Sequence, residues 1–391
     1  MKKVKQKKAY KKPGKTTNSA NGNKRHAKIW MKQLLSFKFF KMPILKSKIS
    51  RYVIIFFAVV VLFFVLLINY STSPIDKKNV NVLVDIPTGS SFLKVTEILD
   101  QEGLVKNRVF FYSLTIIKNA RRHIRAGEYE FNTSLTPSAM IDKLLHGEIK
   151  IHKVIIREDL SLREIAALLD KEKLINKDDF FELSRDEDFL ESLNVKANSI
   201  EGYLFPETYF FDRSMSTRQI MKIMVSQFWK KVTPEMIKRA GDLGFNTHQF
   251  VTFASMIGKE SGNNTEKPII SAVFHNRLKK RMPLQSDPTA VYDLNNFDGK
   301  VLRSHLRRKS PYNTYVRKGL PPGPIANPGV TSLKAVLYPA PVNYLYFVSR
   351  NDGRHYFSNS LSEHNHAVNR YIYLKGKQIQ QFEDKSSDEK D

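Results

Sequence analysis

The sequence predicts an α+β protein: one N-terminal transmembrane helix, then two mixed domains. Three observations predict it. An uncharged apolar run lies near the N-terminus. A gapless internal repeat follows, with strand-like and helix-like patterns in each copy. The C-terminal half then combines helical apolar stripes with an alternating hairpin pattern.

The apolar run "YVIIFFAVVVLFFVLLINY" covers Tyr52 to Tyr70. As a helix it spans roughly 28 Å, close to the hydrocarbon core of a bilayer, with tyrosines at both ends. It is too long for a signal peptide, and "NYSTSP" offers no small-residue cleavage site. The 391-residue chain carries 64 Lys+Arg against 38 Asp+Glu, a net charge of +26. Seventeen of those cations lie in residues 1–51, an arm with no acid at all. The positive-inside rule therefore places the arm in the cytoplasm, against anionic headgroups, and everything after about Ser71 outside the cell membrane. The remainder is only mildly basic, so nucleic acid is not the expected partner. There is no cysteine, which excludes disulfides and thiolate metal sites.

The repeat aligns "IPTGSSFLKVTEILDQEGLVKNRVFF" from Ile86 with "IREDLSLREIAALLDKEKLINKDDFF" from Ile156, at an offset of 70. Each copy reads as a short strand, a turn and a helix. Ser90 or Ser91 caps the first helix and Ser161 the second, with Glu97 or Glu164 in the following turn. "RAGEYEFNTSLTPSAMIDKLLHG" reads as a strand, a turn and a further helix between the copies. The unit resembles LysM-type modules, which bind glycans; a plain α+β spacer explains the same pattern. "LFPETY" is extended, and "TRQIMKIMVSQFWKKV" is an amphipathic helix. The expected divisions are arm 1–51, span 52–70, LysM-like module 80–195, second α+β domain 200–378 and a disordered polar tail 379–391.

The second domain opens on a helix with Asn246 or Thr247 as N-cap and Gly262 as the closing C′ residue. Phe250, Phe253, Ile257 and Glu260 follow spacing 3, 4, 3, so they share one face. A carboxylate thus continues an apolar stripe in the last, electronegative turn. Burial and the helix dipole both disfavour its anion and raise its pKa, the setting of a general acid. A snorkelling surface glutamate is the plainer reading. "KPIISAVFHNRLKKRM" is a helix with Pro268 in its first turn, on which Asn276 joins Ile269 and Val273. "SDPT" makes Asp287 an N-cap with Pro288 at N1, or a second acid of a site. "SPYNTYVRKGLPPGPIANPG" is a proline-stiffened loop, "YLYFVSRNDGRHYFS" a hairpin turning at Asn351–Gly353, and "HNHAVNRY" opens the last helix. Gln285, Asn276, Tyr312, Asn313 and Tyr315 are candidate sugar ligands, because amides and phenols pair with hydroxyl and acetamido groups; packing explains the tyrosines equally well. His364 and His366, two residues apart, point away from each other on a helix, and neither a metal nor a cofactor is expected.

"ASMIGKES", "VFHNRL", "MPLQSDPTAVY", "YNTYVRKGLPPGPIANPG", "YLYFV" and "HNHAVNRY" together resemble the MltG/YceG family of membrane-anchored endolytic murein transglycosylases, over about residues 80–375. The resemblance implies that the second domain is catalytic and that Glu260 is its single acid/base. It implies cleavage of nascent peptidoglycan strands between N-acetylmuramic acid and N-acetylglucosamine, leaving 1,6-anhydro ends and trimming or terminating strand growth during division and elongation. Peptidoglycan glycan strands are the implied partner, with cell-wall synthases left open. Where the family has an acid two residues before the catalytic glutamate, this chain has Gly258, which removes a like charge from the neighbourhood of Glu260. A hydrolytic muramidase using Asp287 and a non-catalytic peptidoglycan-binding scaffold are the alternatives.

Overall fold

The computed structural model describes residues 48–374, apart from 121–123 and 296. The basic arm up to residue 47 and the tail at 379–391 lie outside the described residues. The chain divides into two units, at Thr72. The first contributes one helix, α1 (Lys48–Thr72), which contains the whole apolar run and exposes nearly all of it. Its 25 residues are long and apolar enough to cross a membrane.

The second unit begins with two copies of a βααβ pattern, the second extended by one short helix. In the first, β1 (Asn81–Ile86) is followed by α2 (Phe92–Gln101), α3 (Arg108–Ile117) and β2 (Gly127–Asn132), which pairs antiparallel with β1, Val84 opposite Tyr129. Helix α4 (Pro137–His146) then leads to β3 (His152–Ile155), α5 (Leu162–Lys171), α6 (Lys177–Leu183), α7 (Glu187–Ser192) and β4 (Thr208–Phe211), which pairs antiparallel with β3, Val154 opposite Tyr209. The two leading helices have N-caps 70 residues apart, Ser91 and Ser161, each accepting from the amide three residues on; Ser161 completes a capping box with Glu164. Both helices are followed by a left-handed residue, Gly103 and Lys173.

The remaining elements are α8 (Thr217–Lys231), α9 (Pro234–Asp242), α10 (Thr247–Glu260), α11 (Lys267–Lys279), α12 (Asp287–Val291), α13 (Arg303–Arg307), α14 (Val330–Leu337), the hairpin β5 (Tyr346–Ser349) and β6 (His355–Ser358), α15 (Leu361–Val368) and a π-helical turn, Asn369–Leu374. The last helix thus starts at Leu361, before "HNHAVNRY", because Ser360 supplies its cap.

The core has two parts. In the first copy Val84, Val95, Leu99, Phe111, Tyr129, Phe131 and Leu144 are buried together. A second, continuous cluster runs from Val154 to Leu337 and joins the second copy to α8, α10, α11 and α14. This core does not break at 195–200. Strand β4 completes the second sheet, so the second copy closes only with residues from beyond that point. Between the two cores lies a polar seam. Glu128 of β2 accepts from Arg213 and from His152 (2.8 Å), and Arg125 pairs with Asp212 at 3.3 Å.

Candidate active site

Helix α10 carries the site. Asn246 caps it in a capping box with Gln249. Phe250, Phe253 and Ile257 are fully buried, and Glu260 continues their face in the last turn. The helix ends there. Ser261 is extended (φ −147°), so the left-handed close expected at Gly262 does not form.

Around Glu260 stand Ser286 and Asp287 at the start of α12 and Arg277 of α11. Burial pushes the Glu260 pKa up to about 7; Ser286 and Arg277 pull it down, and Asp287 raises it further. Asp287 therefore supplies the like-charge neighbour that Gly258 does not. Glu260 Oε1 and Ser286 Oγ are each buried without a well-formed hydrogen bond; Ser286 stands near enough to favour the anion, but no bond of full geometry joins the two. A protonated carboxyl in this setting has an acidic proton and nothing in the protein committed to receiving it.

Asp287 is not the N-cap. Ser286 occupies that position, and no side chain makes a capping bond there. Instead the exposed Asp287 carboxylate accepts from the Tyr315 hydroxyl, which burial and this acid hold well above the usual phenol range. Gln285 takes a left-handed conformation (φ 51°) and its Oε1 accepts from Arg277 at 3.3 Å. Sequence reasoning passed over Arg277. It is 6% exposed, donates to the carbonyls of Leu345 (2.7 Å) and Leu284 (2.7 Å), and lies over the Tyr346 ring. Its signal was available: Ile270, Phe274 and Arg277 form a buried 4, 3 stripe, the same pattern that singles out Glu260.

Three predicted sugar ligands do not join this cluster. Asn313 is fully buried; its amide donates to the carbonyls of His305, Leu306 and Arg308, and its Oδ1 accepts from the Tyr315 amide, so it organises the loop beneath the site and is out of a substrate's reach. Asn276 Nδ2 donates to the carbonyls of Val342 and Tyr344. Tyr312 packs against Tyr292 with the rings tilted by 50°, and it borders a separate hollow with His248, Pro322 and Pro324. The proline loop is pinned to α10 by Ile325 N–H on Ser255 Oγ (3.0 Å). Asn327 ties it to the second copy: its Oδ1 accepts from the amides of Gly202 and Leu204, and its Nδ2 donates to Leu160 O and to Glu201. Next to Asp287 opens a largely apolar cleft of about 440 Å³, lined among others by Arg163, Lys259, Tyr292 and Phe297. No cluster of three or more His, Asp or Glu suited to a metal occurs among the described residues.

Known proteins resemble this chain in sequence and in fold. The YceG-like family profile matches residues 84–370. An endolytic murein transglycosylase of Bacillus subtilis (strain 168) is 35% identical over 323 residues, covering 77% of this chain and 88% of that protein. An endolytic murein transglycosylase of Streptococcus pneumoniae (strain D39) is 27% identical over 338 residues, covering 78% of this chain and 61% of that protein. The crystal structure of the yceG-like protein lmo1499 from Listeria monocytogenes superposes with a TM-score of 0.52 at 32% identity, over 73% of this chain and 98% of that one. With a profile match over most of its length, and these relatives beside it, the chain belongs to the YceG-like family.

Proposed function

We propose that this protein is a lytic transglycosylase that cleaves peptidoglycan glycan strands internally, with Glu260 as its one acid/base. The observation that carries the reading is the half-buried Glu260, whose pKa is pushed up to about 7 and whose Oε1 is buried and unpartnered. A pKa raised toward neutral suits a group that must first give a proton and then take one. Glu260 protonates the glycosidic oxygen between N-acetylmuramic acid and N-acetylglucosamine. The C1–O bond breaks as positive charge builds on the muramic ring. The C6 hydroxyl of that sugar attacks C1, and the Glu260 carboxylate receives its proton, which closes the 1,6-anhydro ring and restores the acid. No second carboxylate is needed, unlike in the two-acid glycosidases. Gln285, Asp287 and Tyr315 are the residues assigned to holding the sugars beside the bond that breaks; the reading is supported by the Tyr315–Asp287 bond and by Arg277, which holds Gln285.

Replacing Glu260 with Gln keeps the shape but removes the proton. Cleavage by Glu260→Gln is expected to fall by about 10²–10⁴-fold or more, with folding and glycan binding retained. The readout is mass spectrometry of products from purified glycan strands. Near-normal cleavage by the folded variant would overturn the assignment. A specific observation supports a second reading: the exposed Asp287 lies beside Glu260 and can activate water, as in a hydrolytic muramidase. Its products are heavier by one water, so the same spectra separate the two.

The βααβ copies serve as a LysM-like glycan-holding module, and α1 anchors the enzyme in the cell membrane with the arm inside and the catalytic part outside. Protease added to intact, wall-stripped cells should then digest the chain beyond residue 72 and spare the arm; a protected C-terminal part would reverse the orientation.

A further inference from the structure

Glu158 and Asp159 form the turn between β3 and α5. The repeat sets Asp159 against Gly89 of the first copy, and both backbones are left-handed, at φ +65° and +79°. Glycine adopts this conformation freely, whereas a side chain there is strained. Gly89 has open space around it. Asp159 is tightly enclosed, its side chain only 16% exposed. A Cβ placed on Gly258 would collide with the Asp159 carboxylate, and one placed on Gly329 would collide with that of Glu158. The two acids thus fill notches that two bare glycines leave open. Lys267, buried in the first turn of α11, faces both: its Nζ is 3.7 Å from Asp159 Oδ2 and 3.4 Å from Glu158 Oε2, and it also bonds Thr331.

Gly258 lies in the last turn of α10, two residues before Glu260. That turn has no left-handed close, and Glu260 Oε1 has no bond of its own. The direction of the acid is therefore set by the backbone of the turn, and by whatever holds it.

We propose that Asp159 is a positioning residue for Glu260: seated on the bare Cα of Gly258 and clamped by Lys267, it fixes the last turn of α10. The inference rests on the reading of Glu260 as the acid, and it gives the second βααβ copy a part in the chemistry itself. The charged groups facing Asp159 are Lys267 from α11, Lys259 from α10 and Glu158 from its own turn. Burial raises the Asp159 pKa to about 6, against the pull of Lys267 and Lys259.

The test compares the full chain with Asp159→Gly, Asp159→Asn, Gly258→Ala and the double variant Asp159→Gly/Gly258→Ala. It measures kcat and KM on glycan strands across pH, with thermal unfolding alongside. Asp159→Gly and Gly258→Ala should each lower kcat by about 10–100-fold, with KM changed by less than about twofold. The basic limb of the kcat profile should move down by about one pH unit as water reaches Glu260. The double variant should be no worse than the worse single one, because both changes break one contact. Asp159→Asn keeps the shape and should keep the wild-type limb. Should Gly258→Ala fail to fold, Asp159→Gly carries the test, since glycine suits the turn. Wild-type kcat and pH limb in Asp159→Gly, or a lowered Tm alone, would overturn the proposal. An active Glu260→Gln would strike the underlying reading; an inactive one beside an unaffected Asp159→Gly strikes this inference alone.

Discussion

Glu260 is held where its anion is unfavourable, and this sets how activity and stability depend on pH. The acid must begin protonated, so cleavage should fall as pH rises through about 7, measured as kcat for anhydro-end release. Stability follows the same sign. The folded pKa, about 7, lies above the ordinary 4.5, so the folded state holds this proton more tightly. The stabilisation is complete below pH 4.5 and is lost as pH rises toward 7. Over that window the ionised group comes to cost roughly 3 kcal/mol. Glu260→Gln should therefore match wild type in urea unfolding at pH 4.5 and exceed it by about that amount at pH 8.5. An equal difference at both pH values would mean that the carboxyl is not buried in solution. Glu260 was legible in the sequence because its face depends on a local 3, 4, 3 spacing. The fates of Asn276 and Asn313 were not, because an amide's role depends on what the chain brings to it. The carbonyls that hold Asn276 belong to residues 66 and 68 positions away.

At the scale of elements, the site is two helices, α10 and α11, facing a short helix and a loop. The loop from Ser310 to Tyr315 has little regular structure, and Asn313 stands in for it by gathering three carbonyls and one amide. Asn313→Ala leaves those groups without partners in the interior, at a cost of about 1–3 kcal/mol. Because Tyr315 lies two residues on, bonds Asn313 through its amide and donates to Asp287, activity should drop with stability. A sugar-ligand role for Asn313 predicts a raised KM at unchanged denaturation midpoint, and kinetics paired with chemical unfolding separates the two. The strands, the capped helices and the hairpin were readable because apolar period and cap chemistry are local. The start of α12 was misread at one residue. Ser286 and Asp287 are both good caps, and the choice was made by Tyr315, which draws the aspartate away.

Across the whole molecule, two apolar cores meet at an ionic seam formed by Glu128, His152, Arg213, Arg125 and Asp212. A seam of charges couples its two sides more weakly than shared apolar packing does. Scanning calorimetry of the second unit should show two transitions, and Arg213→Ala should lower the first-copy transition while leaving the other in place. A single transition that shifts as one would mean the cores fold together. The repeat was visible because its apolar positions align without a gap. The merger of the second copy with the core of the C-terminal helices was not, because β4 lies far from β3 in sequence and pairs with it only in three dimensions. The offset of 70 also makes the chain a record of its own ancestry. A duplicated segment leaves two descendants under different demands, each serving as the other's reference. Where they agree, as at Phe92 and Leu162 or Val95 and Ile165, the shared inheritance is packing. Where Gly89 faces Asp159, one descendant keeps the unburdened turn and the other has been recruited. Grafting Thr88-Gly89 in place of Glu158-Asp159 would return the second copy to the condition of its twin, within a fold already known to accept that turn.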